Sequence, residues 1–289
     1  MSAGLGDRTS YLGCSDLAAI IGASPYAAPI DVYRRIVDKI EPVQTRRMRM
    51  GQLLEEAIGT EYEETTGIKL RRRGEVVHPE YPYIRGHVDW ITEGDVGVVD
   101  AKASEYPIGY GEPGTDQVPP HIRTQMVGYC GLLRREWADV ALLRGTRGLD
   151  LYRVMADPEL YAALIGEAVK FWTENVIPQI PPPVDGTEAY RDYLRELYPR
   201  DNGLEIVATP EQALLVEEWQ AAQSASKAAK THEELVKNRI RDVMGEAAVL
   251  LSAVGKVTNR IQKGSTYTVV REPGRVLRAT FANAAEEAA

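Results

Sequence analysis

The chain has 289 residues, of which 44% are hydrophobic and 26% charged, with a formal net charge of −8. These fractions exclude disorder over most of the length, and the acidic total disfavours a simple basic coat for nucleic acid while leaving room for a local basic channel. No run reaches the ~18 apolar residues that span a bilayer, the first residues do not read as a secretory signal, and Cys14 and Cys130 alone supply no disulfide framework, four-cysteine zinc site or iron–sulfur cluster, so a reducing cytoplasm is the expected setting.

In chain order, the pattern predicts helices over 15–22 and 29–39, the second with Ile30, Tyr33, Val37 and Ile40 on one face and Pro29 in its first turn. A longer helix is expected over 49–66, with Met50, Leu53, Leu54, Ala57, Ile58 and Tyr62 on one side and Gly67 as its stop. Residues 74–79, 84–91 and 96–103 read as strands, the last two joined as a hairpin through TEGDVG. Two prolines open a helix over 119–134, a second hairpin spans 138–144 and 149–155, and Asp157 with Pro158 starts a helix to about 176. That order implies an α/β (mixed α+β) chain with one mixed sheet covered by helices.

A boundary lies at 178–205, rich in Pro, Gly and Asp. Residues 1–205 carry 23 basic and 32 acidic side chains, against 11 and 10 over 206–289. In the second part, Thr209 and Pro210 start a long helix to about Gly245, with Leu214, Leu215, Trp219, Leu235, Ile240 and Val243 as candidate apolar contacts. Residues 248–281 read as short strands turned at Gly255, Gly264 and Gly274.

The chemistry concentrates in the strand VGVVDAKAS. Asp100 and Lys102 are two apart, so both point to one face, and they interrupt an apolar run. Charges there are costly unless paired or bound to a metal. Asp89 lies on the partner strand, about one strand spacing of ~5 Å away. Two carboxylates at that separation repel, and a hard divalent cation, Mg²⁺ or Mn²⁺, relieves the repulsion. Lys102 beside it would orient a water or stabilise a phosphate in transition. The same triplet read alone is an internal salt bridge at a strand end. Glu55, one turn into its helix, could reach toward the sheet or face solvent. Gln125 is a core amide, a surface residue or a site residue. Ser15 reads as a helix N-cap or as part of a phosphate pocket that Arg8 completes. The basic runs RRMR (46–49) and RRR (71–73) read as solvated surface or as the lining of a channel.

The succession LGCSD, MGQLLEE with TTG, VVHPEYPYIRGHVDW, VDAKAS, VPPHIRTQM and WADVALLRG with LYRV resembles the YqaJ-type phage recombinase nucleases, relatives of lambda exonuclease within the PD-(D/E)XK superfamily. The resemblance covers roughly residues 8–176. It implies a restriction-endonuclease-like core in a nuclease domain over 1–205 including its linker; the long helix and small β part over 206–289 lie outside the resemblance and read as a packing or oligomerisation appendage. It implies Asp89, Asp100, Lys102, Glu55 and Gln125 as catalytic residues. Asp89, Asp100, Glu55 and the backbone carbonyl of Ala101 are the implied ligands of Mg²⁺, with Mn²⁺ as substitute, and Arg8 and Ser15 the implied holders of a DNA 5′ phosphate. The implied activity is 5′→3′ digestion of linear double-stranded DNA by a homo-oligomer, a trimeric ring. The implied partner is a single-strand annealing protein, and the implied setting the cytoplasm of a bacterial host of a phage or prophage. The chain departs from the family pattern at His87-Val88-Asp89-Trp90, where Ser-Pro-Asp-Gly is usual. It departs again at Asp100, where Glu is usual, and near Pro79, where Glu80 is the nearest carboxylate. Two alternatives stand beside this reading: a structure-specific or nicking endonuclease, and a catalytically decayed DNA-binding or partner-docking module.

Overall fold

The computed structural model describes residues 8–41, 43–266, 268, 275–279 and 281. They form two compact units, Met1–Leu194 and Arg195–Ala289, divided inside a helix of the 178–205 segment.

The first unit opens with a short turn at Arg8–Ser10, strand β1 (Leu12–Gly13) and helix α1 (Cys14–Ile20). Helices α2 (Pro29–Ile36) and α3 (Arg46–Thr66) follow. Strands β2 (Leu70–Val77), β3 (Ile84–Thr92) and β4 (Gly97–Ala103) come next, then α4 (Pro120–Leu133), β5 (Trp137–Leu143), β6 (Leu149–Met155) and α5 (Pro158–Phe171). α5 is extended by a single π-turn at Trp172–Val176. The strand order is β1-β3-β4-β5-β6, with β2 also paired to β3. β1–β3 and β4–β5 are parallel, and β2–β3, β3–β4 and β5–β6 are antiparallel. This is the central mixed sheet flanked by helices that the residue order implied.

Helices cover the sheet because each carries one apolar stripe. The larger core joins α1, α2, α4 and α5 to the sheet through Leu17, Ile30, Met126, Val140 and Leu142. The smaller joins α3 to the sheet through Ile58, Tyr62, Trp90, Val99 and Ala141. β5 contributes to both, since Val140 and Leu142 alternate with Ala141. β3 does not keep that alternation. Val88 and Ile91 both enter the larger core while Trp90 enters the smaller, so the strand changes the face it presents around Asp89.

Several expectations are corrected. α3 begins at Arg46, so the RRMR run is its first turn, capped by Thr45. Met50 and Leu53 are exposed rather than on the packed side. β2 begins at Leu70 and takes in the RRR run, because at the sheet edge arginines project outward without cost. The boundary segment holds α6 (Glu188–Leu197), whose Tyr190 is buried.

In the second unit, α7 (Pro210–Met244) is capped by the Thr209 hydroxyl, as expected. Its expected apolar contacts are not buried: Leu214, Leu215, Leu235 and Val243 are exposed, and Met244 is the residue of α7 that is sealed. A hairpin of β7 (Val249–Ser252) and β8 (Gly255–Thr258) turns before Gly255. No strand forms among the described residues beyond Thr258, so Gly264 is not a strand turn, and Gly274 lies outside the described residues.

Candidate active site

The site lies where the sheet forks. One edge of β3 pairs with β2 along most of its length. The other edge pairs with β1 at Ile84 and Arg85 and with β4 at Trp90 and Ile91. Between those two ladders, residues 86–89 have no strand partner on that edge. Backbone groups left there need partners from side chains. Ala101 N–H of β4 donates to Asp89 Oδ2 at 2.9 Å. The His87 carbonyl accepts from the Tyr129 hydroxyl at 2.6 Å, and Gln125 Nε2 of α4 donates to that same hydroxyl at 2.7 Å. The fork therefore sets the Asp89 contact to β4 two residues from the carbonyl that Tyr129 and Gln125 hold.

Asp100 is 2% exposed. The Lys102 ammonium touches its Oδ2, as the same-face spacing predicts. Oδ2 has no other hydrogen-bond partner and is closed to solvent. Burial opposes the charge on Lys102, but Asp100, then Asp89 and Glu55, hold its pKa above the usual lysine value. Asp89 is pushed far above the usual carboxylate range, by burial first and by the Asp100 charge second, against the Ala101 N–H and Lys102. Glu55 is raised by burial, with Asp100 adding and Arg72 opposing. Three carboxylates thus share one field with one ammonium.

That donor set fits a hard divalent cation, since every donor is oxygen and the three carboxylates outnumber the two cations beside them, Lys102 and Arg72. These carboxylates are not closed into a shell, however. No group of three or more His, Cys, Asp or Glu side chains stands ready to hold a metal among the described residues. Glu55 is turned to Arg72, with Nη1–Oε2 at 3.5 Å, and Lys102 occupies Asp100. Binding would require Glu55 to leave Arg72.

Arg8 Nη2 donates to Ser15 Oγ at 3.0 Å, so the structure joins that predicted pair. Ser15 is not the N-cap: Gly13 holds that position, and the Asp16 carboxylate accepts its N–H at 2.6 Å. Asp16 also takes Arg35 at 2.6 Å and lies 3.8 Å from Arg8. His87 links this corner to the fork, its Nε2 lying 2.8 Å from the Tyr11 hydroxyl. The arginine runs separate. Arg71 pairs with Asp95, and Arg72 pairs with Glu56 and stacks on Trp90. Arg47 alone of the two runs reaches the cleft described next. Glu80 acts on His78, Tyr81 and Tyr83 rather than on Asp89.

Beside Lys102 opens a cleft of about 1480 Å³, lined among others by Arg47, Tyr110, His121, Arg144 and Arg147. Sequence reasoning missed three residues here. Tyr129 carries the bond to the His87 carbonyl. Tyr110 is raised by burial and then by Asp100. His121 is lowered by burial and then by Lys102. Tyr129 follows Gln125 by four, one helical turn, and that spacing was the signal available; nothing in the pattern marked Tyr110 or His121.

The family model of the YqaJ-like viral recombinase domain matches residues 5–131. That match spans less than half of the chain. All the site residues from Arg8 to Gln125 lie within it. A Bacillus subtilis (strain 168) protein bearing the name Uncharacterized protein YqaJ is 27% identical over 252 residues, 82% of this chain and 77% of its own. The fold is also similar to an alkaline exonuclease (LHK-Exo) from Laribacter hongkongensis, at TM-score 0.49 and 20% identity, covering 66% of this chain and 96% of that one. A phage related exonuclease from Haemophilus somnus 129PT follows at TM-score 0.46 and 18% identity, covering 65% and 96%. No described helix is long and apolar enough to cross a membrane.

Proposed function

We propose that this chain is a Mg²⁺-dependent deoxyribonuclease that digests linear double-stranded DNA from 5′ ends in phage-type recombination, with Mn²⁺ able to substitute. The observation that carries the reading is the buried Asp100 paired with Lys102 beside Asp89, at a sheet fork inside the stretch that matches the YqaJ-like viral recombinase domain. Asp89, Asp100, Glu55 and the Ala101 carbonyl are the groups that would hold the cation. When bound, it polarises a phosphoryl oxygen and acidifies a water.

The remaining work falls to the chain's own residues. Lys102, kept protonated by its carboxylates, borders the cleft; it orients a water and meets charge developing on the phosphate. Gln125 and Tyr129 hold the His87 carbonyl, and so the strand that carries Asp89. Arg8 and Ser15 take the terminal 5′ phosphate through a charge-assisted bond. The cleft supplies positive charge in an acidic chain, with Arg47, Lys102, Arg144 and Arg147 against Glu105. The same reading includes a trimeric ring around the duplex and an annealing protein that takes the strand left behind.

The test is end-labelled linear duplex, with and without 5′ phosphate, incubated with Mg²⁺. Loss should proceed from 5′ ends, stop with chelator and in Lys102→Ala, and slow in Arg8→Ala or without the phosphate, while closed circles stay intact. Digestion that persists in Lys102→Ala, or cutting of closed circles, overturns the exonuclease reading.

A further inference from the structure

α7 runs 35 residues, yet Met244 is the residue it buries. A helix of this length draws little stability from propensity alone and ordinarily buries an apolar stripe. Such a stripe is present at alternating spacings of four and three residues. Leu215, Trp219 and Ala222 carry it in the first half, and Val236, Ile240 and Val243 in the second. Ser226 and Ala229 occupy the centre and Glu233 interrupts it. This is a heptad seam with a small middle. Leu215 and Val243 stand 65% and 76% exposed.

We propose that this seam binds a second copy of the same helix, antiparallel, with the two-fold axis between Ser226 and Ala229. Charge decides both the partner and its direction. Residues 210–226 carry three acids and no base, whereas 227–244 carry five bases and three acids. Running two copies in opposite directions sets each acidic half against a basic half. In that register Leu215 faces Ile240 of the second copy, Trp219 faces Val236, and Ser226 faces Ala229. Glu218, flanking the seam, comes beside Arg239 of the other copy, twice by symmetry.

The parallel alternative puts Glu233 on Glu233 at the axis and His232 beside Lys237, with no attractive flanking pair. In the antiparallel register Glu233 instead meets the small Ala222, and its carboxylate is free to keep its own Lys237, 2.5 Å away. Phe281 lies edge-on against Trp219, with ring centroids 6.0 Å apart, so the C-terminal segment is the competing occupant at one end of the seam.

The experiment measures the mass of the full chain by light scattering across a dilution series, with circular dichroism as the control for helix content. Val236→Glu should weaken self-association by at least about tenfold in Kd with helix content retained. Glu218→Arg should weaken it at low salt, and Glu218→Arg with Arg239→Glu should restore it. For direction, Leu215→Cys combined with Ile240→Cys should cross-link copies readily, and Leu215→Cys alone should not. A mass unchanged by Val236→Glu would overturn the proposal and assign the seam to the C-terminal segment. Efficient cross-linking of Leu215→Cys alone would overturn the antiparallel arrangement.

Discussion

Leu142 in β5 is sealed at 0% exposure, while Leu214 in α7 stands 62% exposed, and the contrast runs through both units. The first unit closes two cores around one sheet and pairs its buried charges: Asp100 with Lys102, and Asp139 with Arg153 at 2.8 Å and with the Tyr62 hydroxyl at 2.7 Å. The second unit is led by a capped helix that leaves Leu214, Leu215, Leu235 and Val243 exposed. The lesson is that a unit which completes its own core can afford charges inside it, whereas a helix without a core must draw on a partner.

The sharpest way to break the comparison is to remove one buried partner. Lys102→Met should lower nuclease activity by ~10³-fold, in line with the loss of one preorganised electrostatic group. It should also destabilise the protein by ~3 kcal/mol, because Asp100 is then buried without its counter-charge. Adding Asp100→Asn should recover much of the stability and none of the activity. Chemical denaturation beside a duplex-degradation assay separates the two effects.

A core truncation tests the contrast directly. Leu142→Ala should cost ~2–5 kcal/mol through lost burial and a residual cavity. Leu214→Ala, off the proposed seam, should stay within ~0.5 kcal/mol. Equal losses in urea titrations would erase the distinction between the units.

Two glycines sharpen it within the first unit. A Cβ at Gly131 of α4 would stand 2.2 Å from the Tyr161 ring, while at Gly166 of α5 it meets nothing within 4 Å. Gly131→Ala should therefore destabilise by ~1–3 kcal/mol through overpacking. Gly166→Ala should stabilise by ~0.5–1 kcal/mol through helix propensity. Thermal melts of the two variants should move in opposite directions.

The smallest effect is a pH dependence. The His78 imidazole accepts the N–H groups of Glu80 and Tyr81 on Nδ1 at 3.2 and 3.1 Å. Its pKa is lowered, by burial first, with Glu80 opposing. The unfolded chain protonates near pH ~6.5 and the folded one only below that. The contribution of His78 is therefore complete above the unfolded value and is lost as pH falls through it. His78→Gln should flatten that part of the stability profile, by ~1 kcal/mol or less, between denaturation at about pH 7.5 and about pH 5.5. A variant profile parallel to the parent's would refute the assignment.

Much of the sheet was legible in the sequence. Alternation and turn residues marked both hairpins, and Pro158 and Pro210 marked helix starts because their fixed φ suits a first turn. Asp100 and Lys102 were legible for a similar reason, since a period of two places neighbours on one face whatever surrounds them. The start of β2 was not, because edge arginines look like loop. The exposure of Leu215 and Val243 was not, because apolar periodicity records a face that wants burial and not whether anything covers it.

The sequence by itself determined the pairing of Asp100 with Lys102, the stop of α3 at Gly67, the Thr209 start of α7 and the heptad spacing of α7, since each depends on residues close in the chain. Only the tertiary structure decided the fork in β3. There two ladders leave residues 86–89 without a strand partner, and Asp89, Tyr129 and Gln125 converge to satisfy what the sheet does not. Those contacts join residues as much as 42 apart in sequence, and no local pattern encodes which backbone groups a sheet will leave unpaired.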